Sequence, residues 1–99
     1  MALLWALMAG GGRASQSGPS ATLAWTRSAS AAVTGYRVYY GLASGQYLQP
    51  KGAGIEIGPV ETWVVSGLAA GSRYYFAVTA VDASGNESDY SNEASKLVQ

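Results

Sequence analysis

A chain of 99 residues, of which 48% are hydrophobic and 12% charged, has the size of one compact domain and too much apolar content for a disordered chain. Its formal net charge is zero, so it lacks the positive field that would hold nucleic acid or an anionic membrane surface. The absence of His and Cys excludes triads, thiol nucleophiles and nearly all transition-metal sites, and we expect a binding or spacing module without a cofactor.

The N-terminal run MALLWALMA has the length of the apolar region of a signal peptide and is much too short for the ~20 residues of a membrane span. Gly12 and Ala14 supply the small residues that a cut after Ala14 would need. Residues 1–14 are therefore a candidate signal peptide, which would make the protein secreted, periplasmic or exposed on the cell surface. Export signals usually begin with Lys or Arg, but no basic residue precedes Arg13 here. A buried or frayed apolar segment is therefore the alternative.

The next stretch, residues 15–20, reads SQSGPS and has the composition of a linker. We therefore expect one folded domain over residues 21–99. From Ala21 onwards the apolar residues alternate, which is the period of a β-strand. Short alternating segments with Gly-rich turns between them indicate an all-β fold, an antiparallel β-sandwich of the immunoglobulin-like type.

Two strands show the alternation most clearly. In GYRVYYG, Arg37 and Tyr39 point away from the predicted core, and in RYYFAVTAVD, Tyr75 and Thr79 do the same. A final strand is expected near the C-terminus, between Ser91 and Val98, without assigned faces. The residues assigned to the core are Trp25, Tyr36, Val38, Tyr40, Trp63, Leu68, Tyr74, Phe76 and Val78.

Several motifs occur in a characteristic order along the chain. They are Trp25, the pattern Tyr36-x-Val38-x-Tyr40, the segment LAAGSRYYFAVTA that begins at Leu68, the turn DASGNES that begins at Asp82, and YSNE that begins at Tyr90. In this order the chain resembles the fibronectin type III domain of exported bacterial proteins, from about Ala21 to Leu97. The spacing of Leu68 and Tyr74 looks like a tyrosine corner, in which a phenol hydroxyl bonds the backbone a few residues upstream.

One departure from this family concerns the first strand. Only Ala21 to Ala24 separate Ser20 from Trp25, where the family places a whole strand and its loop. The first strand is therefore expected to be short or missing, or to be improvised from residues 10–20, which would leave an unprotected edge. We hypothesise that an upstream segment or a partner chain supplies the missing strand.

The acidic turn near the C-terminus is one candidate site. Asp82, Ser84, Asn86 and Glu87 gather oxygen atoms that favour loop contacts with a partner. A weak Ca²⁺ site is the alternative, but the turn has too few ligands for a calcium loop, and Ser-Gly-Asn is ordinary turn chemistry. We therefore expect a plain turn and no metal.

The sheet face opposite the core is the second candidate. The resemblance implies that the strands carrying Tyr39 and Tyr75 are neighbours, so both rings would lie on one solvent-exposed face near Arg37 and Thr79. Such a face suits a protein partner or a glycan, because Tyr combines an apolar ring with a polar tip. The alternative is that these aromatic residues only stabilise the sheet, since they favour strands without any ligand.

No pair of carboxylates in the sequence predicts a catalytic cleft, so we expect no enzymatic activity. The expected function is an extracellular spacer or adhesion module that contacts a protein partner or a neighbouring domain. The alternative is a carbohydrate-binding accessory domain that uses the exposed tyrosines on a polysaccharide. These two functions belong to different classes, and the same sandwich hosts both.

Overall fold

The computed structural model describes residues 19–26 and 32–98, together with the backbone of residues 7–10. Seven strands are described, and all the pairings among them are antiparallel. In chain order they are β1 (Leu7–Gly10), β2 (Ser20–Trp25), β3 (Val33–Gly41), β4 (Ile55–Ile57), β5 (Thr62–Ser66), β6 (Arg73–Asp82) and β7 (Ala94–Leu97). None of the described residues forms a helix long and apolar enough to cross a membrane.

The strands form two sheets, with the order β1-β2-β5 in one and β4-β3-β6-β7 in the other. The alternation of large apolar residues places one face of each sheet against the other, and the all-β sandwich expected from the sequence is confirmed. Tyr36, Val38, Phe76 and Val78 are at most 2% exposed at the centre of this core. Trp25 packs edge-on against Tyr36, with 5.5 Å between the ring centroids.

A buried tyrosine closes the turn between β5 and β6. Tyr74 is 7% exposed, and its hydroxyl accepts a hydrogen bond of 2.9 Å from the backbone N–H of Ala69. Leu68 is buried beside it in the core cluster. The contact is the one that the spacing of Leu68 and Tyr74 suggested, and it holds the turn against the start of β6.

The first strand is present and short, and all of it except Gly10 lies upstream of residues 10–20. The four residues of β1 pair with β2, with Leu7 opposite Trp25 and Gly10 opposite Thr22. The hypothesis that an upstream segment supplies the missing strand is confirmed, because part of the apolar N-terminal run pairs with β2. The expectation of an unprotected β2 edge is wrong. The predicted cut after Ala14 and most of the predicted linker lie outside the described residues.

Two residues assigned to the core are less buried than expected. Trp63 shares a face with buried Val65, yet it is 38% exposed, because β5 is the edge strand of its sheet and leaves one side of the ring uncovered. Tyr40 is half-buried and packs against the core cluster rather than inside it. Alternation identifies the face of a residue, whereas exposure also depends on the position of its strand in the sheet.

Candidate functional site

The outer face of the four-stranded sheet carries the residues expected to contact a partner. Pairing of β3 with β6 places Arg37 opposite Thr79, and Tyr39 opposite Ala77. These side chains share one face, as the sequence suggested, but the face is not open to solvent. Tyr39 and Thr79 are 0% exposed, and only Tyr75 and Arg37 are half-buried. The expectation that Tyr39 and Thr79 form an exposed partner face is wrong.

The cover over Tyr39 comes partly from the loop between β3 and β4. The backbone N–H of Gly52 donates a hydrogen bond of 2.9 Å to the Tyr39 hydroxyl. Gly54 lies directly on the ring, since a Cβ atom at this position would approach the ring to 2.6 Å. Only a residue without a side chain fits there, which explains the glycine. Burial and the hydrogen bond to Glu87 together raise the pKa of Tyr39 above its ordinary value.

The rest of the cover comes from the segment after the β6 turn, which runs back along β6. The Ser88 hydroxyl accepts from the backbone N–H of Ala80, and the Ser91 hydroxyl accepts from that of Val78. The backbone N–H groups of both serines donate in turn to the carbonyls of the same two β6 residues. This double contact fixes the segment beside β6 and aims Glu87 over the outer face.

Glu87 is the centre of a hydrogen-bond network on this face, and its side chain is 10% exposed. One carboxylate oxygen accepts from the Tyr39 hydroxyl at 2.5 Å and from the Thr79 hydroxyl at 2.6 Å. The other accepts from the Arg37 guanidinium at 2.8 Å. Burial alone would raise the pKa of Glu87, but the hydrogen bonds from Thr79, Tyr39 and Arg37 outweigh it and lower the pKa below its ordinary value.

A second carboxylate, Glu93, holds the tip of the β3–β4 loop. It accepts hydrogen bonds from the hydroxyls of Ser44 and Tyr47 and from the backbone N–H of Gly45, at 2.6 to 2.8 Å. Burial opposes ionisation here too, and the three donors still lower the pKa of Glu93. The contacts of Glu87 and Glu93 are not predicted by the sequence, because all but that of Thr79 join residues 46 to 50 positions apart and leave no periodic trace.

Three tyrosines form a cluster where these segments meet. The ring of Tyr90 lies 5.1 Å from those of Tyr39 and Tyr47, measured between centroids. The ammonium group of Lys51 lies over Tyr90, 4.7 Å from its centroid. Tyr90 is 38% exposed and is the most exposed of the three, so a partner in solution can reach its ring.

The acidic turn is closed on itself. The Asp82 carboxylate accepts hydrogen bonds from the backbone N–H groups of Ser84 and Asn86 and from the Asn86 side-chain amide. The pKa of Asp82 is lowered by these bonds, and the bond from the Asn86 side-chain amide has the largest effect. Glu87 turns away from this group towards Arg37. Within the described ranges, no three or more Asp, Glu, His or Cys side chains come together as metal ligands would.

Comparison with known proteins places the chain in a family. The family model described as "Fibronectin type III domain" matches residues 12–96. The chain is 43% identical over 81 residues to chitinase A1 of Niallia circulans, and the match covers 81% of this chain and 10% of that protein. The chain therefore spans about a tenth of the length of this relative.

Solved structures show the same fold. An Fn3-like protein from Clostridium thermocellum superposes with a TM-score of 0.74 at 26% identity, over 96% of this chain and 92% of that one. A beta-1,2-glucanase from Parabacteroides distasonis contains a similar sandwich, with a TM-score of 0.72 at 21% identity, covering 97% of this chain and 12% of the glucanase. The chain belongs to the fibronectin type III domain family.

Proposed function

We propose that this domain is a non-enzymatic spacer or adhesion module of an exported protein. It would contact a protein partner or a neighbouring domain at each end and keep the two at a fixed separation. The observation that carries the proposal is the course of the chain through the sandwich. Leu7 lies beside Trp25, at one end of β2. At the other end, the Lys96 ammonium donates to the Ser20 carbonyl at 2.9 Å. A chain that contains β1 therefore enters the sandwich at one end and leaves it at the opposite end.

The size and composition of the core support a rigid spacer. The molecule measures 38 Å along its longest axis, and its buried centre consists of aromatic and β-branched side chains. Without Cys, this packing and the tyrosine corner hold the sandwich together. A partner that is attached at each end would be held at a fixed separation, unlike one attached through a flexible linker.

The carboxylates support a role without catalysis. A general acid needs a carboxyl group with a raised pKa beside a substrate cleft. Glu87, Glu93 and Asp82 instead have lowered pKa values, because each accepts several hydrogen bonds within the domain. These carboxylates stabilise the fold, because their oxygen atoms already accept hydrogen bonds from other residues of the domain.

The similarity to a segment of a chitinase supports the alternative, a carbohydrate-binding accessory domain. The pair of Tyr39 and Tyr75 does not suit this role, because Tyr39 is buried. Tyr90 is the better candidate, since its ring is 38% exposed and backed by the rigid tyrosine cluster. An exposed ring of this kind can stack on the apolar face of a sugar.

Two experiments separate these functions. In the first, the chain and its Tyr90→Ser variant are mixed with insoluble chitin and sedimented. The spacer function predicts that neither protein is retained more than an inert control protein. Retention of the wild-type chain that is lost in the variant would favour the carbohydrate-binding function instead.

The second experiment tests the spacing directly. The chain is inserted between two fluorescent proteins, and energy transfer is compared with that of a variant lacking residues 1–14. We expect transfer to rise in the truncated protein, because its chain then enters near Ser20, at the end where it also leaves. Far-UV circular dichroism verifies that the truncated sandwich is folded. Equal transfer in two folded proteins would contradict the spacer geometry.

Export remains a proposal that rests on the apolar run MALLWALMA and the small residues at Gly12 and Ala14. The structure adds a consequence, because part of this run forms β1. Removal of residues 1–14 would take β1 away from the sheet. Mass spectrometry of the exported protein distinguishes a chain that begins at Ser15 from one that keeps β1.

A further inference from the structure

The outer edge of β5 is free of strand pairing in the described part of the chain. Sheet order places β5 at the edge, with β2 as its only neighbour among the described strands. The backbone N–H of Trp25 donates a hydrogen bond of 3.0 Å to the Glu61 carbonyl, which fixes which β5 residues bond to β2. Because hydrogen-bonded positions recur every two residues, Trp63 and Val65 face β2 with their backbone groups. The backbone N–H and C=O groups of Thr62, Val64 and Ser66 point outwards.

Within β5 itself, the features that usually protect an edge against association are missing. Native edges are kept short or carry charged side chains. The edge strand β4 has both features, with three residues and exposed Glu56 at its centre. In contrast, β5 spans five uncharged residues. Three apolar side chains on or beside it are exposed, namely Val60 at 39%, Trp63 at 38% and Val64 at 42%.

We propose that a second copy of this chain pairs with β5 along this edge, antiparallel and about a two-fold axis. Only Thr62, Val64 and Ser66 have backbone groups that point outwards, so these three residues must pair with the same three residues of the second copy. This requirement restricts the register. The register that pairs all three places Val64 opposite Val64 of the second copy, and Thr62 opposite its Ser66. A two-fold axis through Val64 makes the contact self-complementary and closed.

The side chains fit this register on both faces of the joined sheet. On the outer face, the two Val64 side chains meet at the centre, between two Thr–Ser hydroxyl pairs. On the inner face, Trp63 lies opposite Val65 of the second copy, an aromatic and β-branched pair that would cover the exposed side of the indole. Glu61 falls opposite Gly67, so the two carboxylates are not brought together. Formal net charge of zero adds no overall repulsion between copies.

The contact is small, since five residues a side provide less area than a standard stable interface. We therefore expect weak self-association that is populated at high micromolar concentration or when the module is held at high local density. Such a contact would join modules side by side, leaving both ends of the sandwich free. This role is additional to that of a spacer and does not depend on it.

Oxidative trapping tests the register, because the natural chain contains no Cys. In the Val64→Cys variant, the new cysteine of one copy would lie directly opposite that of the second copy. Their Cα atoms would be about 5.5 Å apart, which is within the range of a disulfide. The control is Leu48→Cys, a residue that is 61% exposed in the β3–β4 loop. We expect the Val64 variant to form a disulfide-linked dimer at least about tenfold faster than the control. Equal rates in the two variants would overturn the proposal.

Sedimentation velocity provides a second test that needs no cross-link. We expect the wild-type chain to show a concentration-dependent dimer, and Val64→Lys to weaken it by about tenfold or more, because two ammonium groups would meet at the axis. Leu48→Lys is the matched charge control and should dimerise like the wild type. A wild-type monomer throughout the high micromolar range would overturn the proposal and leave the edge to a strand of another protein. A dimer that Val64→Lys does not weaken would also overturn it, since the contact would then lie elsewhere.

Discussion

Replacement of Glu87 is the most informative single change, because one carboxylate holds Arg37, Tyr39 and Thr79 together on the outer face. Loss of one member of a buried ion pair costs about 3–5 kcal/mol. We take the lower end for Glu87→Ala, since Arg37 is 16% exposed and retains Glu56 at 3.3 Å. The expected loss of unfolding free energy is therefore about 3 kcal/mol, and roughly half of this for Glu87→Gln, which keeps an acceptor.

Urea denaturation followed by tryptophan fluorescence at pH 7 measures this loss. Glu56→Gln is the matched control, because its side chain is 77% exposed and it contacts the same guanidinium. An exposed ion pair of this kind contributes at most about 1 kcal/mol. If Glu87→Ala were no less stable than the Glu56→Gln control, the view of Glu87 as the structural centre of this face would be refuted.

The pH dependence of the same variant gives an independent check. The pKa of Glu87 is lower in the folded chain than its ordinary value, which in an unfolded chain is about 4.3. The ionised carboxylate therefore contributes its full stabilisation above about pH 4.3, and this is lost as the pH falls through the folded pKa. The stability difference between wild type and Glu87→Gln should shrink as the pH falls below 4.3 or so. A difference that stays constant from pH 7 to acid would contradict the lowered pKa.

Three further changes test other parts of the structure. Gly54→Ala should lower the unfolding free energy by about 1–3 kcal/mol in urea, because its Cβ would collide with the ring of Tyr39. At Gly58 a Cβ meets nothing within 4 Å, so Gly58→Ala is the control, and an equal effect of both would argue against the close contact. Tyr74→Phe removes the acceptor of the tyrosine corner and should cost about 1 kcal/mol in the same assay, whereas an unchanged midpoint would show that this bond adds no stability. Deletion of residues 1–14 removes the four residue pairs between β1 and β2. It should lower the unfolding free energy by about 2 kcal/mol and speed amide exchange along β2. Unchanged exchange along β2 would show that β1 does not protect this strand.

The sequence predicted those parts of the fold that depend on local alternation. Tyr36, Val38, Phe76 and Val78 follow the two-residue period of a strand and lie at the centre of the core. The tyrosine corner was found from the spacing of Leu68 and Tyr74, because this contact lies within one turn. In both cases the relevant partners are close in sequence or fixed by the strand period.

The burial of Tyr39 was missed because its cover comes from distant segments. Gly52 and Gly54 belong to an irregular loop, and Glu87 follows a turn nearly fifty residues later. A charged residue in a polar turn gives no sign that it will fold back onto a sheet. Three donors compensate its burial, and this compensation is visible only in three dimensions.

The residues that form the first strand and the exposure of Trp63 were not predicted, for two other reasons. Leu7–Gly10 lies within an apolar run whose composition also suits an export signal, and four residues are too few to show a strand period. The exposure of Trp63 follows from the edge position of β5, and strand order depends on pairings between distant segments. Alternation indicates which face a residue takes but not whether a neighbouring strand covers it.

The proposed course of the chain, from one end of the sandwich to the other, is tested by one distance. The Cys-free chain allows spin labels at Leu7→Cys and Leu97→Cys alone, and pulsed electron paramagnetic resonance measures their separation. Five steps along β2 span about 17 Å, and β1 and β7 contact each other side by side, so a single narrow distribution at about 18 Å between backbones is expected. A much shorter distance, as two labels at the same end of the sandwich would give, or a distribution broadened by an unpaired β1, would contradict this course of the chain.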